Sequence, residues 1–352
     1  MKKILSLIMI VCLILVATAC QSGPSTGPTA DPNKVHKLKV SFAAPEFSTT
    51  EITAALDRIQ EASKGRIEFV YYYAWTITSV PTVVDDLNNG VCDIAALPIN
   101  EHLNLFPYSN LITYTPFLGL PGMLETADLF TEMHNEQEAI SKEYTNAGLH
   151  YWTNYPMPGY NIYTTDKNNA IKKPEDLKGL KLISSSALMQ AYITAHQGAA
   201  VTAPVTEYAT SLNTNVVNGI INHANVLAAF GCMDFIQAVT VFGDSGTATA
   251  PMVMAISEKV WSQLPADLQK LFNDEAKNLS HGQGGWDRDA NERNIKLIGE
   301  KGGTVTRLTD AEIKVWADAF AAQREAYIDQ LIADGHTEAR KVYDALQAKL
   351  AG

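Results

Sequence analysis

The chain has 352 residues, with 38 acidic side chains against 27 lysines and arginines and a formal net charge of −11. That acidity, with no basic patch anywhere along the chain, argues against a nucleic-acid partner and against adsorption to anionic lipid. The length allows two lobes with separate cores, and four cysteines are too few for a disulfide framework.

Met1-Lys2-Lys3 is a short positive start, Ile4 to Val16 is apolar, and Ala17-Thr18-Ala19 offers a small-residue cleavage site. Residues 1–19 therefore read as a signal peptide, since a permanent span needs roughly 20 apolar residues. Cys20 and the Gly/Pro/Ser/Thr-rich stretch that follows resemble a bacterial lipobox and its tether, predicting lipidation at Cys20 and a linker over 20–34. Ala17 stands where such sites usually carry Leu, and ordinary cleavage after Ala19 is the alternative. Cys92 and Cys232 sit among apolar neighbours and read as buried thiols.

Lys37 to Ala43 alternates as a first strand, and Ile52, Ala55, Leu56 and Ile59 form one face of a helix that stops at Gly65. Residues 67–73 and 91–97 are the next strands, separated by a helix over 83–89 that ends at Gly90. Strand and helix alternating in this way predict a parallel sheet wrapped by helices. The pattern restarts after Tyr151-Trp152-Thr153-Asn154-Tyr155. Strands are expected near 162–165, 180–183, 200–203 and 219–222, with a helix over 187–196 and a short one at Pro174. From Pro265 a helical pattern runs to about Lys301, kinked at Gly282, Gly284 and Gly285 and long enough to bridge two lobes. Thr309 and Glu312 form a capping box, with Ile313, Trp316, Phe320 and Ile328 as the stripe behind it.

Residues 171–225 resemble the solute receptors of TRAP transporters, the DctP family. The resemblance is carried by Pro174-Glu175-Asp176-Leu177-Lys178-Gly179-Leu180-Lys181, by Gly198-Ala199 leading to Pro204, by Glu207 and Tyr208, and by Asn218-Gly219-Ile220-Ile221-Asn222. Leu87 to Ile94 resembles the family's first-lobe turn, and Trp261 to Gln269 the start of its long helix. The resemblance implies an α/β, two-lobe, periplasmic-binding-protein-like (type II) fold with hinge strands and a long lobe-bridging helix. It further implies a small organic solute in the interlobe cleft and delivery to TRAP-type membrane permease subunits; the chain is expected to be a monomer, with no cofactor. The segments then read as lobe I over 35–153, lobe II over 154–244, a return to lobe I with the bridging helix over 245–305, and C-terminal helices over 306–352.

Receptors of this family typically clamp a ligand carboxylate with an Arg after the Leu-Lys-Gly-Leu-Lys run, because guanidinium offers a planar fork. That position is Ile183 here, Asn161 follows Gly159-Tyr160 where a further Arg is common, and no Arg occurs between Arg66 and Arg288. Three readings stay open: a neutral or cationic ligand; a carboxylate held by amides, hydroxyls, His or Lys; or a bound metal in place of the arginine. If the lost Arg sets selectivity, Ile183→Arg is expected to create affinity for simple carboxylates.

Loops at the ends of parallel strands are where α/β sheets place ligands. The candidates by position are Glu46, Phe47, Tyr73, Trp75 and Asn100 in lobe I, and Trp152, Asn154 and Tyr155 in the aromatic stretch. Asn161, Ser184, Ser186, Asn222, His223 and Asn225 are the candidates in lobe II. Aromatic rings suit a flat ligand or a cation, although core packing and capping are the ordinary roles of such residues. No nucleophile elbow, zinc motif or phosphate loop is present, so binding is favoured over catalysis. A receptor presenting the same closed form to a sensor kinase or chemoreceptor, or one serving an ATP-driven importer, would share these features.

Overall fold

The computed structural model describes residues 34–168, 171–249 and 251–351, so the leader, most of the tether and Cys20 lie outside the described residues. Strands and helices are numbered in chain order. The first sheet holds β1 (His36–Ser41), β2 (Ile67–Tyr72), β3 (Ile94–Pro98), β4 (Leu149–Tyr155) and β10 (Met252–Ser257), in the order β2-β1-β3-β10-β4. Six strands make the second: β5 (Asn161–Thr164), β6 (Lys181–Ile183), β7 (Ala199–Val201), β8 (Gly219–Asn222), β9 (Ala238–Val241) and β11 (Thr304–Arg307), in the order β11-β9-β5-β8-β6-β7. The first sheet and the helices on it form lobe I, the second lobe II.

In lobe I, β1, β2 and β3 are parallel and β10 runs against both β3 and β4. Helix α1 (Thr50–Ala62) buries Ile52, Ala55, Leu56 and Ile59, the face expected from their spacing. Helix α2 (Val83–Asn89) ends at Gly90, whose φ of 74° is the left-handed cap that glycine adopts without strain. Three helices follow that sequence periodicity did not mark: α3 (Pro107–Thr113), α4 (Met123–Glu136) and α5 (Glu138–Asn146). They cover one face of the sheet with a core that includes Leu97, Phe130, Tyr144 and Tyr151. The opposite face packs Val40, Phe42, Leu56, Trp152 and Phe272.

Lobe II contains α6 (Ala187–Ala195), α7 (Tyr208–Asn213) and α8 (Ala224–Ala229). After β10 the short α9 (Glu258–Trp261) leads into α10 (Ala266–Glu300), which is continuous over 35 residues. Its first half packs on α1 and β4, and Ile295 and Ile298 enter the core of lobe II. Gly284 allows this passage: a Cβ there would stand 2.6 Å from Pro156 on the chain crossing between the lobes. Next come α11 (Asp310–Ala333) and α12 (Ala339–Ala351). The Thr309–Glu312 capping box forms at the start of α11. The expected stripe is divided, with Trp316 and Phe320 in the lobe II core and Ile328 in that of lobe I. Two helices, α10 and α11, therefore tie the lobes together.

Two observations shift the expected boundaries. Strand β4 runs through Asn154 and Tyr155, which belong to the lobe I sheet, and β11 at Thr304–Arg307 pairs with β9 in lobe II. Cys92 and Cys232 are both free and fully buried.

Candidate functional site

Strand direction fixes which edges of the two sheets face each other. Tyr155 at the end of β4 pairs with Met252, which also pairs with Pro98 at the end of β3, so these ends share one edge of lobe I. In lobe II, Asn161 at the start of β5 pairs with Asn222 at the end of β8, and Ile183 at the end of β6 lies on the same side. Residues 156–160 and 242–249 run from these two edges and touch at the Tyr160–Gly246 bridge. A Cβ on Gly246 would lie 2.4 Å from the backbone of Gly159, so only glycine permits this contact. A third segment joins them: the Phe117 amide donates to the Thr247 carbonyl at 2.7 Å, and the Phe117 ring enters the core of lobe II. The C-terminal ends of the parallel strands therefore line the cleft, where α/β sheets place ligands.

Single residues from separate elements meet there. Tyr114, just past α3, shares a 2.8 Å hydrogen bond with Ser185 of lobe II. Its ring lies edge-on to Tyr160 at 6.0 Å, and Tyr160 stacks on His223 at 5.9 Å and 28°. Tyr208 opens α7 beside Asn222. On the lobe I side Glu101 accepts from the Asn100 amide at 3.1 Å. Burial pushes the Tyr114 hydroxyl up to about 12, with the Glu101 carboxylate adding to it, and the same two causes raise Tyr160 and Tyr208. Burial also lowers the His223 imidazole to about 4, so the ring is neutral at neutral pH. Its Nδ1 accepts from the Val226 amide and caps α8.

The predicted candidates divide on this geometry. Asn100, Ser184, Asn222 and His223 lie at strand ends on the cleft edges. Ser184 accepts from the Ser186 amide, and Ser186 caps α6 through the Met189 amide. Glu46 and Phe47 form an exposed turn after β1, where Glu46 lies close enough to raise the Tyr73 hydroxyl behind a larger effect of burial. Tyr73 stacks on Phe42 at 5.1 Å, and Trp75, in a left-handed conformation at φ 57°, packs against the lobe I core. Asn161 accepts from the Phe242 amide at 2.9 Å and holds the crossing segment.

Four candidates are placed elsewhere. Trp152 is 4% exposed in the lobe I core and its indole donates to the Phe272 carbonyl. Asn154 is fully buried and donates to Ala127, Thr131 and Tyr151. Tyr155 packs in the same core as Trp152. Asn225 bridges α8 to α10, donating to the Asp287 carbonyl and accepting from Asn294. Ile183, the position of the missing Arg, is 1% exposed among Tyr208, Ile220 and Ile295. An arginine there meets a packed core, which corrects the expectation that Ile183→Arg would open a carboxylate site.

Tyr114 and Tyr208 were not among the predicted candidates. Tyr208 carried a signal, its place beside Glu207 in the family-like stretch; Tyr114 carried none. Two further residues lie where α10 passes between the lobes. Gln283 donates to the Ser48 carbonyl at 2.9 Å and to Asp287 Oδ2 at 3.0 Å, while its own Oε1 is buried without a partner. Asp287 is 7% exposed, and burial raises its carboxyl to about 7. Among the described residues no cluster of three or more His, Cys, Asp or Glu side chains could hold a metal ion, and no helix is long and apolar enough to cross a membrane.

Comparison with known proteins agrees with this architecture. Residues 43–330 match the DctP family model, described as bacterial extracellular solute-binding protein, family 7. The 2,3-diketo-L-gulonate-binding periplasmic protein YiaO of Escherichia coli is 22% identical over 289 residues, covering 81% of this chain and 85% of that protein. A TRAP solute-binding protein from Rhodoferax ferrireducens, solved with copurified benzoate, superposes with a TM-score of 0.75 at 19% identity, covering 90% of this chain and 99% of that one. Another from Sulfitobacter, solved with β-D-galacturonate, gives 0.73 at 18% identity, covering 89% of this chain and all of that one.

Proposed function

The chain belongs to family 7 of the bacterial extracellular solute-binding proteins, and from that premise we propose that it is the receptor of a TRAP-type transporter. It captures a small organic solute between its lobes, closes on it, and presents the closed form to the membrane permease subunits. The observation that carries this reading is the pair of facing strand-end edges, joined by crossing segments and bridged by the Tyr114–Ser185 hydrogen bond. A contact of that kind between groups on different lobes suits a rigid-body hinge closure.

The test is a thermal-shift screen followed by small-angle scattering. A solute at 100 times its Kd stabilises by about 2.7 kcal/mol, and the same solute reduces the radius of gyration. Stabilisation without compaction would count against hinge closure.

The reading includes an N-terminal lipid on Cys20 that holds the receptor, as a monomer, on the outer face of a membrane. Its support is the Ala17-Thr18-Ala19-Cys20 sequence and the tether after it. Labelled palmitate is expected to enter the wild-type protein and not Cys20→Ser; equal labelling of both would remove the anchor.

A further inference from the structure

Across the cleft, every ionisable group described above is acidic or neutral. Lobe I contributes the Glu101 carboxylate, and the phenols of Tyr114, Tyr160 and Tyr208 all feel its charge. Lobe II contributes Ser185 and His223, whose ring burial keeps uncharged. The lysines nearest the strands of lobe II lie away from it. Lys181 opens β6, and Lys172, Lys173 and Lys178 flank the short turn that leads into it, so they stand at the edge of lobe II opposite the cleft. In lobe I, Lys142 pairs with Glu138 and Lys277 with Asp128.

A second observation points the same way. At the lobe boundary Gln283 keeps a buried Oε1 without a donor. Acceptors short of donors call for N–H groups or a positive charge. A carboxylate solute brings neither, and would be desolvated opposite Glu101, while none of the cleft residues named above carries a positive charge.

We propose that the solute of this cleft is an organic cation bearing an ammonium group, held against the rings of Tyr114 and Tyr160 with Glu101 as counter-charge. Tyrosine faces attract ammonium groups through their quadrupole, and a carboxylate at the rim steers and orients the same charge. The inference rests on reading the cleft as the solute site, and it departs from the anionic ligands recorded in the benzoate and galacturonate complexes of similar proteins.

Titration calorimetry on the purified protein tests it, with choline and putrescine as the cations, benzoate and glucuronate as the anions, and xylitol as a neutral control. At least one cation is expected to bind. Glu101→Gln, a change at an exposed residue, is expected to weaken that binding about tenfold and to leave the melting temperature unchanged. Tyr160→Phe keeps the ring and is expected to retain most of the affinity, whereas Tyr160→Leu loses it. Binding of benzoate, glucuronate or xylitol with no response to either cation overturns the cation and leaves the receptor reading standing. Silence from all five compounds overturns the cation and counts against the cleft as a solute site. Cation binding that is unchanged in both Glu101→Gln and Tyr160→Leu places the cation elsewhere and overturns the proposal.

Discussion

Strand β4 and the cleft both concentrate aromatic residues, and they use them in opposite ways. Strand β4 carries Tyr151, Trp152 and Tyr155 in one run and packs them into two cores, whereas Tyr114 and Tyr160 arrive from separate segments and meet edge to face where the lobes adjoin. A strand alternates its side chains between two faces, so a run of rings cannot all serve one site. In β4 a bulge opposite Met254 and Ala255 modifies the alternation. Tyr151 faces one core with Asn154 donating to its hydroxyl, while Trp152 and Thr153 both turn to α10 and donate to the Phe272 and Ala276 carbonyls. Local density of aromatics marks a core here, and the rings that meet across the lobes, Tyr114 and Tyr160, come from segments far apart in the chain.

The largest effect that tests this contrast is on stability. Trp152→Ala removes a buried indole and leaves the Phe272 carbonyl without its donor, and is expected to cost about 3–5 kcal/mol. Chemical denaturation measures the loss, and solute affinity of the folded fraction should stay unchanged. A loss of affinity with native stability would return Trp152 to the cleft.

The difference also explains how much was legible in the sequence. Elements that end on strong local signals were readable: Gly90 closes α2, Pro265 precedes α10, and the Thr309–Glu312 box starts α11. Asn222 and His223 were readable as site candidates because a strand end is also a cleft edge. The helices α3, α4 and α5 were not, since their buried residues serve several neighbours and leave no single stripe. Asn225 illustrates a further limit: its partners Asp287 and Asn294 lie more than sixty residues away, and only the fold brings α10 alongside. Tyr114 likewise becomes a cleft residue only when Ser185 of the other lobe faces it.

The boundary residue Asp287 gives the next largest effect. Its carboxyl is raised by burial from 3.8 to about 7, so the folded state holds a proton that the unfolded state releases. That contribution to stability is complete below pH 3.8 and is lost as pH rises through about 7. The shift corresponds to about 4 kcal/mol at most. Asp287→Asn should therefore be more stable than wild type at pH 8 and lose its advantage at pH 4, which thermal unfolding across that range would show. An advantage that does not vary with pH would mean that burial does not raise the Asp287 carboxyl.

His223 has the opposite sign and a somewhat smaller effect. Burial lowers its pKa from 6.5 to about 4, so the unfolded state takes up a proton that the folded state excludes. Stability is lost as pH falls from 6.5 towards 4, by about 3 kcal/mol at most. His223→Asn preserves a cap for α8, because asparagine is among the favoured residues there, and should remove this acid sensitivity while stability at pH 8 changes little. Undiminished acid sensitivity in the variant would assign it to the carboxylates instead.

The smallest effect isolates the contact between the lobes. Tyr114→Phe keeps the ring that meets Tyr160 and deletes only the hydroxyl that reaches Ser185. A single neutral hydrogen bond contributes about 1 kcal/mol, and this one forms between groups on different lobes. Its loss should therefore appear in the closing equilibrium, as solute affinity reduced about fivefold, with little change in the unfolding of the free protein. Ser185→Ala removes the other partner, so the double variant should be no weaker than either single one, since all three lack the same bond. Additive losses would show that Tyr114 and Ser185 act separately, each through its own contact with the solute, and that closure does not depend on their hydrogen bond.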